Sequence, residues 1–308
     1  MYNVFIDGRE GTTGLQIYER LTSRKDLHLI VLPDELRKDT AARKDCINRA
    51  DVVFLCLPDA AAREAVTLCE NPQTRMIDAS TAHRTTDGWA YGFPELGEEF
   101  RSAIATGKRI ANPGCHASGF IALVYPLIKE GLLANDYPFV AHSVTGYSGG
   151  GKKMIAEYES EGRDFELGSP RQYGLGLTHK HIPEMTKVCG LAQAPVFNPI
   201  VADFYSGMCV TVPVFSKYLQ KPMNVGQMKE FYGDFYAGAK LVSVSNEPKS
   251  FLAANTLSGK NTMEIFVGGN DEQILLCARF DNLGKGASGA AVQNMNIALG
   301  LPEDAYLK

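Results

Sequence analysis

The chain has 308 residues, 45% of them hydrophobic and 21% charged, with no low-complexity tract. That composition excludes a disordered polypeptide, and at this length it predicts two globular domains rather than one. A formal charge of -4, a pI near 5.9 and the lack of any Lys/Arg run exclude a nucleic-acid footprint and a polybasic membrane patch, so an anionic ligand must be met locally.

The first elements alternate strand and helix. Residues 3–6 (NVFI) form a short apolar strand, Gly8, Gly11 and Gly14 punctuate a turn, and the spacing of Leu15, Ile17, Tyr18 and Leu21 predicts a helix. Residues 27–32 predict a second buried strand, 51–57 a third followed by a helix over 60–70, and 75–78 a fourth. Such alternation implies parallel βαβ units with helices on both faces. Because the chain enters a strand and a glycine turn at once, it predicts no signal peptide. No apolar run approaches the ~18 residues of a membrane span.

From about residue 140 the pattern changes. Residues 140–145, 196–202, 208–215, 240–244, 263–268 and 273–281 read as strands, with a helix over 229–237. This predicts an α+β domain around a largely antiparallel sheet. Residues 286–300 form an apolar helix with a wide buried stripe, suited to packing back on the first domain. The expected division is 1–113 plus 285–308 for one domain and 114–284 for the other.

The first turn is GxxGxxG, not the commonest dinucleotide fingerprint, but its context supplies what a pyrophosphate needs. The glycines let backbone approach closely, the next helix offers unpaired N–H groups, and Thr12 and Thr13 add hydroxyls. An ordinary βα turn is the alternative. The end of the second strand offers Asp34 for a ribose 2'-hydroxyl and Arg37 and Lys38 for a 2'-phosphate; the basic pair tips the reading to NADP.

Seven cysteines, at 46, 56, 69, 115, 189, 209 and 277, form no CxxC and no regular framework. They read as reduced thiols of a cytoplasmic protein, and their spacing excludes a zinc ribbon. Most lie in apolar or helical segments, where cysteine acts as a small hydrophobe. Cys115 differs: it follows Pro113-Gly114 and precedes a helix that runs from Ala117 until Gly131 stops it. At a helix start the dipole favours thiolate, so a nucleophile and a packing residue stand level on position alone.

Among the histidines, His28 reads as structural, and His83, His116 and His142 have no neighbours that single them out. The stretch THKHIPE (178–184) gathers two histidines, a lysine and a glutamate. It reads as a solvated loop, a stray metal site or a source of acid/base chemistry; a zinc site with Cys115 lacks an evident completing ligand. SVTGYSGGGKK (143–153) reads as an anion-binding glycine loop or a flexible connection, and its spacing is not that of a P-loop.

Taken in order, NPGC (112–115), SVTGYSGGGK (143–152), HKHIPE (179–184) and DNLGKGASG (281–289) resemble the N-acetyl-gamma-glutamyl-phosphate reductase family in its shorter bacterial form, a likeness running from Gly8 to Gly300. The resemblance implies an α/β plus α+β protein. It would pair a Rossmann-type, doubly wound NADP-binding domain with a second domain like that of glyceraldehyde-3-phosphate dehydrogenase. It further implies a reductase of arginine biosynthesis, a homo-oligomer (tetramer or dimer) acting on a small acyl phosphate, with no metal, nucleic acid or membrane partner.

On matching positions the resemblance makes Cys115 the nucleophile and His181, before His179, the acid/base. It adds Ser80, Asn282 and Gly286 to the cofactor side. Arg84, Ser148, Gly149, Lys152 and Glu184 fall to the substrate, Arg84 because its planar fork suits a carboxylate. His83 and His116 stand where family members carry aromatics. Three alternatives remain: aspartate-semialdehyde dehydrogenase, a reductase of a carrier-linked aminoadipyl phosphate in lysine biosynthesis, and a dinucleotide-sensing regulator on the same fold.

Overall fold

A computed structural model describes residues 1–247 and 249–307. By its internal contacts the chain divides into two units, Met1–Pro113 with Ala287–Lys308, and Gly114–Gly286.

The first unit begins with β1 (Tyr2–Asp7), α1 (Thr12–Thr22), β2 (Leu27–Ile30), α2 (Thr40–Arg49), β3 (Val52–Leu55), α3 (Asp59–Leu68), β4 (Arg75–Asp78), β5 (Ala90–Tyr91), α4 (Glu98–Thr106) and β6 (Arg109–Ala111). Its sheet has the order β2-β1-β3-β4-β6-β5 and every pairing is parallel. Parallel strands are covered on both faces and so read as continuous apolar runs. In β3 all four side chains, Val52 to Leu55, are fully buried, each contributing about 1.5–3 kcal/mol. The second strand differs from its expected buried character: β2 is the sheet edge, only Leu27 is buried, and His28 is exposed.

Two helices of this unit escape an apolar-periodicity reading. The inner face of α2 consists of Arg43, Cys46 and Ile47. Arg43 is tolerated there because its guanidinium meets the buried Asp7 carboxylate at 2.9 Å. In α4 only Ile104 is buried.

The second unit comprises α5 (Cys115–Lys129), β7 (Val140–Gly146), α6 (Gly151–Glu159), β8 (Arg171–Gln172), α7 (Ile182–Cys189), β9 (Val196–Ala202), β10 (Met208–Phe215), α8 (Val225–Phe235), β11 (Val242–Val244), β12 (Met263–Gly269) and β13 (Gln273–Phe280). Its sheet order is β11-β12-β13-β10-β7-β9-β8. The β7–β9 and β11–β12 pairs are parallel and the other four antiparallel.

The α5 helix lies on this sheet so closely that a Cβ on Gly119 would fall 2.4 Å from Val210 Cγ2. Inside α5, Pro126 has no N–H to give the carbonyl four residues back, and that carbonyl, on Ala122, instead accepts from the Tyr236 hydroxyl at 2.7 Å.

A π-helical turn, Gly284–Ser288, leads into α9 (Gly289–Ala298), which rejoins the first unit and packs on β4, α1 and α4. It is buried all round rather than along one stripe. Its asparagines donate inward: Asn294 to the Gly92 carbonyl at 3.0 Å, and Asn296 to those of Glu303 at 3.1 Å and Ala305 at 3.0 Å.

Candidate active site

In the first unit, β1 delivers the chain into Gly8, whose φ of +87° lies in the left-handed region; a Cβ there would sit 2.4 Å from the Cys56 carbonyl oxygen. A Cβ on Gly14 would come equally close to the Gly8 carbonyl. Gly11 carries no such constraint. It donates its N–H to Gly8 O at 3.0 Å and caps α1, so the helix opens with Thr12 and Thr13. The first-turn N–H groups have no partner within the helix, and they share their end with the positive pole of its dipole. Beside this turn is a cavity of about 250 Å³ lined by Gly8, Arg9, Asp34, Arg37 and Lys38. Arg9, which no motif of the sequence marks, reaches Asp34 at 3.2 Å and lies over the Tyr18 ring, 5.1 Å from its centroid. These features fit a dinucleotide: close backbone approach, helix N–H donors and a basic recess.

In the second unit Cys115 is the first residue of α5 and is half-buried, where the next nine residues are buried. The helix thus starts two residues earlier than its apolar spacing suggested. Gly114, its cap, is held on both sides: its N–H goes to the Glu184 carboxylate at 3.1 Å, and its carbonyl accepts from the Ser118 N–H at 2.8 Å and hydroxyl at 3.0 Å. Glu184 is 1% exposed. Expected at the substrate, it here ties down the backbone of Gly114, the residue before the cysteine. Gly286 passes so near that a Cβ would lie 2.9 Å from Cys115 Cβ. None of the seven cysteines is in a disulfide.

Around Cys115 the chain gathers His116, Tyr173, His179, His181 and Phe197. The His116 ring lies 5.4 Å from that of His179, 5.6 Å from His181 and 5.3 Å from Phe197, centroid to centroid. The His179 and His181 rings meet near-perpendicularly at 4.8 Å. His181 caps α7 and gives its backbone N–H to Nδ1 of His179 at 3.2 Å. That bond assigns the neutral His179 proton to Nε2. Burial, then the Lys180 charge, pushes the His179 pKa down to about 4. His116 is pushed down to about 3 by burial, then by His179 and Lys180. Both are neutral at pH 7. Tyr173 moves up, through burial and then the Cys115 charge. Among the described residues no group of three or more His, Cys, Asp and Glu side chains is placed to hold a metal ion.

Several expected residues stand elsewhere or do other work. Residues 147–150 form a 3-10 turn and 151–159 are α6, so the expected glycine loop is a helix start, with Gly151 at φ +73° and Lys152 exposed on the first turn. Ser148 is buried and accepts from Asn282 Nδ2 at 3.0 Å, while Asn282 Oδ1 takes the Gly207 N–H at 2.8 Å. Asn282, expected beside a cofactor, thus uses both ends of its amide on the protein, and Ser148 is tied to it; Gly149 packs alongside. In the first unit Arg84, expected at a substrate carboxylate, turns Nε and Nη2 to main-chain carbonyls, those of Asn112 and Ala79, both at 3.0 Å. Ser80 donates to Asp78 at 2.8 Å, and His83 meets that same carboxylate at 2.6 Å while stacking on Trp89. Arg37 and Lys38 are exposed on the cavity wall.

A glycine turn opening a parallel domain, joined to a mixed-sheet domain with a cysteine at a helix start, defines the semialdehyde-dehydrogenase class. Residues 3–104 match the model for the semialdehyde dehydrogenase NAD-binding domain, and 115–282 that for its dimerisation domain. Similar folds are aspartate semialdehyde dehydrogenase II of Vibrio cholerae, in complex with ASA (TM-score 0.72, 16% identity, 97% of this chain and 98% of that one), and aspartate semialdehyde dehydrogenase of Francisella tularensis (0.71, 17%, 96% and 99%).

Much nearer in sequence are N-acetyl-gamma-glutamyl-phosphate reductase 2 of Nostoc sp. (46% identity, 99% of this chain and 98% of the relative), its namesake of Pseudomonas putida (46%, 96% and 96%) and N-acetyl-gamma-glutamyl-phosphate reductase of Chelativorans sp. (47%, 96% and 97%). The chain belongs to the N-acetyl-gamma-glutamyl-phosphate reductase family.

Proposed function

We propose that the protein reduces N-acetyl-gamma-glutamyl phosphate to N-acetylglutamate 5-semialdehyde and phosphate, a step of arginine biosynthesis, with NADPH as reductant and Cys115 as nucleophile. The observation that carries this reading is the half-buried Cys115 at the head of α5, its cap fastened by Glu184, beside a cluster of histidines. The 46% relatives supply the substrate class.

The first unit would hold the dinucleotide: Gly8, Gly11, Gly14, Thr12 and Thr13 at the pyrophosphate, and Arg9, Arg37 and Lys38 at a 2'-phosphate. Asp34, the residue suited to a bare ribose hydroxyl, is engaged by Arg9, which favours NADP over NAD. Bound NADPH supplies a hydride.

The chain's own residues do the rest. The Cys115 thiolate attacks the acyl carbon; a C–S bond forms, the C–O bond to phosphorus breaks, and phosphate leaves. The oxygen of each tetrahedral state faces the first-turn N–H groups of α5, which the helix does not use. His181, in its protonated form, gives a proton to the hemithioacetal oxygen and takes it back as the C–S bond breaks and the aldehyde departs. His179, with a pKa near 4, stays neutral and serves as a hydrogen-bond donor through Nε2–H. Lys152, at the α6 N-terminus, offers charge to the leaving phosphate. We place the protein in the cytoplasm as a homo-oligomer, a tetramer or a dimer, through its second unit.

The test is a trap: supplied with the acyl phosphate and no reduced cofactor, the wild type should gain one acyl group by intact mass. Cys115→Ala should gain none, show no reduction and still bind NADPH. Turnover in that variant would sink the assignment.

A further inference from the structure

Beside Cys115 three polar side chains form a chain whose proton positions can be counted. Ser143 is fully buried, with its hydroxyl 2.6 Å from Nδ1 of His116; the other ring nitrogen, Nε2, lies 2.8 Å from the Tyr173 hydroxyl. A neutral imidazole carries one proton and so donates on one side and accepts on the other. With that proton on Nδ1, the buried Ser143 hydroxyl would have no acceptor among the described residues, and an unmade hydrogen bond on a buried donor is costly. The proton therefore belongs on Nε2: Ser143 donates to Nδ1, and Nε2–H donates to the Tyr173 oxygen. This leaves the Tyr173 proton with no acceptor among the described residues, on a side chain that is only half-buried. The hydroxyl is close enough to Cys115 to feel its charge. Its partner His116 is the residue that follows the cysteine in the helix.

We infer that Tyr173 donates a hydrogen bond to the oxygen of the acyl group carried on Cys115, and that His116 is a positioning residue that keeps the Tyr173 proton turned toward it. The inference rests on the reaction proposed above. As the thiolate attacks, and again when the thioester is reduced, that oxygen gains negative charge, and a fixed donor stabilises it without reorganising. The proton is shared, not transferred; the transfer stays with His181. Tyr173 thereby supplements the N–H groups of α5 with a side-chain donor.

The experiment compares Tyr173→Phe, His116→Leu, His116→Gln and the double variant Tyr173→Phe/His116→Leu in the full-length enzyme, by steady-state kinetics. Tyr173→Phe should lower kcat about 10²-fold with KM little changed, the signature of an interaction made in the transition state. His116→Leu should match it, and the double variant should lose no more than either single one. His116→Gln should recover most of kcat, because its amide N–H stands in for Nε2–H. Wild-type kcat in Tyr173→Phe, additive losses in the double variant, or Gln no better than Leu would each overturn the inference. If His116→Leu does not fold, Tyr173→Phe decides alone. A failure here leaves acylation of Cys115 intact, whereas failure of the proposed reaction appears as missing acylation in the wild type.

Discussion

Acid should weaken the fold through His116. Its folded pKa is depressed to about 3 by burial first, then by the charges of His179 and Lys180, against about 6.5 when unfolded. The folded state therefore binds fewer protons than the unfolded one below pH 6.5. The stability involved is fully present above the unfolded pKa and is lost as pH falls toward 3. Between pH 7 and pH 5 the loss from His116 alone comes to about 2 kcal/mol. His179 adds a smaller share, because it is less buried and water screens it. The groups around His116 are Ser143, Tyr173, His179, His181, Phe197 and Cys115, and Lys180 is the nearby fixed cation. In His116→Gln the volume is nearly kept and the titration removed. Urea unfolding followed by circular dichroism at pH 5, 6 and 7, at fixed ionic strength, should show that variant losing roughly 2 kcal/mol less than wild type over this range. Carboxylates titrate alike in both and cancel. Equal pH dependence in the two proteins would refute the reasoning.

Other consequences follow from single contacts. His181→Asn should slow turnover ~10²- to 10⁴-fold; an unchanged rate would move the acid/base role off His181. Tyr236→Phe strips the Ala122 carbonyl of the hydroxyl that replaces Pro126's missing N–H, and should cost about 1–3 kcal/mol; an unmoved urea midpoint would contradict this. Arg9→Ala should weaken NADP binding about 10-fold or more and leave NAD nearly unaffected, as read by fluorescence titration; equal losses for both would remove Arg9 from the 2'-phosphate. Gly8→Ala forces a left-handed φ and a clash with Cys56 O, so dinucleotide binding should fall sharply; normal affinity would show that the turn relaxes.

What the sequence made legible follows physical pattern. The strands at 75–78, 196–202 and 208–215 are readable to the residue because their runs of strand-forming apolar residues have the length of the element. The α2 helix was not, since one of its three inward residues is an arginine neutralised by Asp7, a pairing distant in sequence. At the site, Cys115 stands out by its place at a helix start and the HKHIPE stretch by residue type, but His116 and Tyr173 do not. Their signal is three-dimensional, a register that brings Ser143 of β7 and Tyr173 after β8 to the two nitrogens of one ring. Asn282 and Arg84 show the opposite case: their chemistry suits a ligand, and the fold also gives them partners in nearby backbone and Ser148 that no sequence motif announces.

The central claim is best tested by running the reaction backwards. Purified protein, inorganic phosphate and NADP are supplied with N-acetylglutamate semialdehyde or, in parallel, aspartate semialdehyde, and the absorbance of reduced nicotinamide is followed. Phosphate-dependent signal with the acetylated aldehyde alone is the predicted result. Signal with aspartate semialdehyde instead, or with neither substrate while NADP still binds, would contradict the account.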